Sequence, residues 1–229
     1  MSGFEYDNDA EGEWEERGDL AWNEYDWQQY LKSNEKDIAR FLTFYQQLKH
    51  KQDHLDEIAH LMGWDREDWM PSDAFEDAEV SDTPAPEETL EFDAMEPYTV
   101  HKHPVFLVTR SLYQHLRFVW EHYLGNNPQW VTPALTWQFS GSLHAGELNA
   151  IMAINALDMG DFTLTICHLK NALSALNHTF SIIQQIPPRH QVKFSLFEKE
   201  ACTALFDLRE VWLRVMQDCR EEHRRHRGD

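Results

Sequence analysis

The chain is short of cysteine, glycine, proline and positive charge. Its three cysteines, Cys167, Cys202 and Cys219, are an odd number at spacings that match no metal knuckle or redox pair. They are expected to be buried free thiols in a reducing compartment. Nine glycines and nine prolines in 229 residues argue against a loop-rich all-β architecture. The glycines never cluster into a phosphate-binding loop, and no Gly-x-Ser-x-Gly elbow occurs. No apolar run reaches the roughly eighteen residues that a membrane-spanning helix needs. Met1 to Glu16 is acidic and lacks a basic start followed by an apolar stretch, so no signal peptide is expected and a cytoplasmic location is. With 20 basic against 40 acidic residues, the net charge is -20, which disfavours direct contact with nucleic acid or anionic membrane.

What is there is apolar and aromatic. The chain is 42% hydrophobic and 13% aromatic, ample for a packed core. The excess acidity is local. Residues 1–26 hold ten acids and one base, Arg17, and residues 64–100 hold thirteen acids and one base, Arg66. The rest of the chain carries a net charge of only +1. Four parts follow: an acidic, aromatic-containing tail (1–26), a helical segment packing on the bundle (27–63), an acidic linker broken by prolines (64–100) and a helical bundle core (101–229). The basic cluster Arg220, Arg224, Arg225 and Arg227, with His223 and His226, suits the negative end of a last helix.

Three-and-four spacing of apolar residues predicts an all-α, antiparallel bundle of about four to six helices. Residues 27–62 read as helical, with a restart near Ser33 or Asn34 and a second piece, His54 to Met62, capped by Asp53 and stopped by Gly63. Leu55 to Trp64 looks like the first helix of a helix-turn-helix, but Asp65, Glu67 and Asp68 follow it with the wrong charge for a groove-reading helix. Pro104 starts the next helix, which ends at Gly125 to Pro128. A short helix within Trp130 to Gly141 is expected to precede one from Leu143 to Met159. Gly160-Asp161 is a turn, with Asp161 capping a helix from Phe162 to Ile186. Ile166, Leu169, Leu173, Leu176, Phe180 and Ile183 form one seam of it, and Ala172, Ala175 and Ile182 a second, so it is expected to lie centrally. The last helix runs from about Gln191 to Arg225.

Glu147 is the acid that most invites chemistry. It lies among Leu143, Ala150, Ile151 and Ile154 on the apolar face, and a buried carboxylate must be paired, protonated or beside a cavity. With His144 one turn earlier it could line a ligand pocket; alternatively it pairs with Arg110, Arg117 or Arg209. Arg110 to His115 and Arg117 to His122 each separate an arginine and a histidine by four residues. A similar pattern marks helical ribonucleases of the HEPN type, and residues 101–229 resemble that family in size and class. That resemblance implies a ribonuclease. The family carries a polar residue after the arginine, usually on a late helix; Ser111 meets this weakly and Phe118 does not. Candidate ligand-binding residues are therefore Glu147, His144, Arg110 and His115. Glu57 to His60 is a single Glu-x-x-His string where a di-metal bundle needs two, so no metal or other cofactor is expected.

The reading favoured by the charge pattern is a non-enzymatic protein-interaction module. Its acidic segments would bind a basic protein partner or cover the chain's own bundle, with Trp14, Trp22, Trp27, Trp64 and Trp69 as anchors, because tryptophan is enriched among interface hot spots. A homo-oligomer stays open. A nucleic-acid mimic is a further alternative, as is an enzyme or ligand sensor built on Glu147 and His144.

Overall fold

The computed structural model describes residues 22–64, 99–127, 129–187 and 191–227. Among them the regular elements are all helical: α1 (Glu24–Leu48), α2 (His54–Met62), a 3-10 turn (Val100–Lys102), α3 (Pro104–Asn126), α4 (Pro133–Asp158), α5 (Phe162–Gln185) and α6 (Gln191–Arg227). No helix among the described residues is long and apolar enough to cross a membrane. A boundary between two compact units falls inside α1, after Asp37.

In the first unit, α1 begins inside the stretch expected to be acidic tail. Asn23 Oδ1 accepts from the backbone N–H groups of Tyr25 (2.8 Å) and Asp26 (3.1 Å), and Asp26 Oδ2 accepts from Asn23 N–H at 3.1 Å. This reciprocal capping box satisfies otherwise orphaned donors, and Glu24 and Asp26 complement the positive helix end. The expected restart at Ser33 or Asn34 does not occur. Both lie within unbroken α1, whose hydrogen-bond ladder leaves their side chains no terminus to cap.

In the second unit, α3 packs on α4 and α6, and α5 packs on the same two, which closes a four-helix bundle. Its core takes Leu112 and Trp120 from α3, Phe139 and Leu157 from α4, Leu169 and Leu176 from α5, and Leu208 and Trp212 from α6. Phe41 and Tyr45 of α1 and Ile58 of α2 are part of the same core. Full burial of side chains of this size contributes about 1.5–3 kcal/mol each. Local signals set the helix ends. Pro104 occupies the first turn of α3, where His103 Nδ1 accepts from Val105 N–H at 3.2 Å. Gly63 and Gly160 adopt left-handed φ of 79° and 74°, which end α2 and turn the chain after α4. Asp161 Oδ1 accepts from Leu164 N–H at 2.9 Å and starts α5. Asp53 stands at the α2 N-terminus but makes no side-chain cap.

Three expectations need correction. The segment from Trp130 to Met159 holds one helix, α4, rather than two; Gly141 sits exposed within it, and a lone glycine costs a helix only about 1 kcal/mol. Helix α5 is not central. It packs on α4 and α6 and buries both expected seams in part, with Ala172 and Ile182 fully buried beside Leu169, Leu176 and Ile183, but exposes the opposite face at Cys167, Ser174 and His178. Of the cysteines, all free, only Cys219 is buried; Cys202 is half-buried and Cys167 exposed. Burial pushes the Cys219 thiol up to about 12, with Asp218 adding to the shift.

Candidate functional site

Glu147 is only 4% exposed on α4. Arg110 Nη1 donates to its Oε1 at 2.6 Å, and Arg117 Nη2 donates to its Oε2. The two arginines are seven residues apart, two turns of α3, and so reach from one helix face. Both oxygens of the carboxylate are thereby paired, while the arginine side chains remain open to water at 47% and 36%. Tyr113 lies beside this pair. Its hydroxyl stands so close to Gly146 that a Cβ there would fall 2.2 Å away. Burial, and then the charge of Glu147, raise the Tyr113 phenol well above its ordinary value. His144 is exposed and does not join Glu147; Arg209 is exposed too. None of the three cavities described among these residues is lined by Glu147.

The largest of those cavities, about 700 Å³, opens between α1, α3 and α6. Lys49, its side chain 7% exposed, donates to Gln46 Oε1 at 2.7 Å and to Glu200 Oε2. His115, 6% exposed, has Nδ1 at 3.3 Å from Gln46 Nε2 and Nε2 at 3.5 Å from Glu200 Oε2, where it makes no hydrogen bond. One step further in, Tyr45 Oη donates to Asp207 Oδ2 at 2.6 Å, and His54 Nε2 stands 3.0 Å from Asp207 Oδ1. Burial, then Asp207 and Glu200, hold the Tyr45 phenol well above its ordinary value, so it remains a donor. Burial would raise the Glu200 carboxyl, but Lys49 and His115 outweigh it and hold that group below its usual range. Burial, and then Lys49, lower His115.

Helix geometry splits the arginine–histidine patterns. Five residues of helix turn through about 140°, which puts the ends of each pair on different faces. Arg110 and Arg117 turn to Glu147, while His115 and His122 line the cleft. Of the tryptophan anchors, Trp22 and Trp27 meet edge to face at 5.1 Å, and Tyr30 lies 5.3 Å and 5.9 Å from them. Trp64 stacks on Phe41 at 6.1 Å against the second unit's core. Trp14 and Trp69 lie outside the described residues. Glu57 pairs with Lys51, and no group of three or more metal-ligating side chains occurs among the described residues. At the C-terminus, Arg224 Nε donates to the Arg220 carbonyl at 3.2 Å, and His226 Nδ1 lies 2.9 Å from the Glu222 carbonyl. Both are side-chain contacts one turn back along the same helix.

Sequence inspection missed Lys49, Glu200 and Asp207. The signal that singles out Glu147 is present for the two acids: Glu200 is three residues after Phe197 and four before Ala204, and Asp207 repeats that spacing between Ala204 and Val211. No protein-family model, curated protein or solved structure matches this chain.

The cleft dictates a pH response. His115 titrates lower when folded than its ordinary 6.5, so between the two values the unfolded chain binds more protons. Stability is therefore expected to fall as pH drops through 6.5, and again below 4.5 as Glu200 is protonated. His101, lowered by burial and then Arg110, acts in the same direction as His115. The diagnostic quantity is thus the difference between wild type and His115→Gln in denaturation midpoints across pH. The variant should lack part of the first loss and keep the second; parallel curves would refute the assignment.

Proposed function

We propose that the chain is a non-enzymatic helical interaction module of the cytoplasm whose acidic, aromatic-bearing segments bind a protein partner with a basic surface. The supporting observation is the start of α1. Trp22, Trp27 and Tyr30 hold one another edge to face, Trp27 and Tyr25 are exposed, and Glu24 and Asp26 flank them. The cluster thus offers ordered aromatic area next to negative charge, which suits a partner presenting lysine or arginine over aromatic faces. Much of the side-chain entropy such a contact would cost is already lost in the cluster.

The reading can be tested by titrating the full chain with an arginine-rich peptide and a glutamate-rich control, following tryptophan fluorescence. The basic peptide should bind, weaken with added salt, and lose about thirtyfold in affinity on Trp27→Ala. Binding indifferent to salt or to Trp27→Ala would overturn the reading.

A further inference from the structure

We propose that the cleft between α1, α3 and α6 is a binding site for a small amphipathic anion, a molecule with a flat apolar body and one acidic group. The site lies in the second unit and does not depend on the acidic segments. Its volume of about 700 Å³ suits a small ligand rather than a protein segment.

Polarity is laid out along the length of the cleft. His115 and Glu200, with Gln46 and Lys49, form the inner end. His122 lies two turns along α3 from His115, and Lys193 two turns along α6 from Glu200, about 10 Å away in each case. Between the ends stand Phe118, Val119, Tyr123, Leu196 and Phe197, with the Tyr123 and Phe197 rings stacked at 4.6 Å. The walls are therefore apolar and largely flat, and the two ends are polar.

The balance of charge sets the ligand's sign. At the inner end the Lys49 charge is met by Glu200, and burial favours neutral His115. Lys193, at the outer end, is exposed and makes no ion pair among the described residues. The uncompensated charge of the lining is thus positive and lies at the outer end, where an acidic group would be met. Phe118 and Leu196 hold 66% and 60% of their surface in water at the mouth of this cleft. Covering them with an apolar body gains about 25 cal/mol for each Å² removed from water, whereas leaving them bare gains nothing.

The test is a titration of the full chain with anilinonaphthalene sulfonate, a flat aromatic anion, and with phenylnaphthylamine, its uncharged counterpart. One molecule of the anion should bind per chain. Lys193→Glu should weaken the anion about tenfold and leave the uncharged dye unchanged. Val119→Trp, which fills the waist, should abolish binding of both. Leu196→Asp, at the exposed rim, should weaken both without touching the core, so a folding defect in the first of these variants does not remove the test. Non-saturable dye binding would overturn the site, as would affinity that ignores all three substitutions. Equal loss of both dyes on Lys193→Glu would overturn the preference for an anion.

Discussion

The double variant Arg110→Met with Arg117→Met is expected to lose about 3–5 kcal/mol of unfolding free energy at neutral pH. Both oxygens of buried Glu147 are held by these two guanidinium groups. The arginine side chains are 47% and 36% exposed, so solvent screening discounts the attraction each contributes. The desolvation of Glu147 is not discounted in the same way. Removing one arginine leaves the other in place, and each single variant should cost about 1–2 kcal/mol, within reach of one charged hydrogen bond. Removing both strands a carboxylate inside the bundle. The double loss should therefore exceed the sum of the single losses, and that excess measures the stranded charge. Glu147→Leu placed in the double variant should restore most of the stability, because an apolar side chain needs no partner there. Chemical denaturation of the wild type and these four variants decides it. A double loss no larger than the two single losses combined would show that Glu147 finds solvent and is not held as a buried charge.

Asp207→Ala should destabilise the chain by about 3 kcal/mol. Asp207 accepts from the Tyr45 hydroxyl at 2.6 Å and meets His54 at 3.0 Å, so one carboxylate ties α6 to α1 and α2. The Tyr45 ring is fully buried, which leaves its hydroxyl no water to turn to once the carboxylate is gone. Tyr45→Phe removes the hydroxyl but keeps the ring and the Asp207–His54 contact, so it should cost only about 1 kcal/mol. Amide hydrogen exchange adds a spatial check. In Asp207→Ala, protection should drop first in residues 38–48 and in α2, where the lost contacts fasten. Uniform loss across the bundle would mean that the carboxylate supports the core generally and does not fasten those helices.

Most helix positions were legible because their determinants are local. Pro104, Asp161, Gly63 and Gly160 act on their own turns, and the helices begin or end at them. The early start of α1 was legible too, in Asn23 and Asp26 three residues apart, but the surrounding acidity masked the capping box. Gly141 misled in the opposite way, since a glycine suggests a break that α4 simply tolerates. For the candidate sites, Glu147 could be picked out by its place among apolar neighbours. Its partners could only be narrowed to three arginines, of which Arg110 and Arg117 meet it.

The sequence by itself determined the helical class, the separation of acidity from a near-neutral body, and the face on which each helix is apolar. These follow from hydrogen bonds and side-chain spacings that span only a few residues. Tertiary structure alone decided which polar side chains on those faces meet. Lys49 finds Glu200 across 151 positions, and Tyr45 finds Asp207 across 162. No local preference encodes such pairs, because each forms only when packing brings together helices far apart in the chain. That packing turned His115 from one half of a local Arg–His pattern into part of a cleft, and placed Glu147 between two arginines.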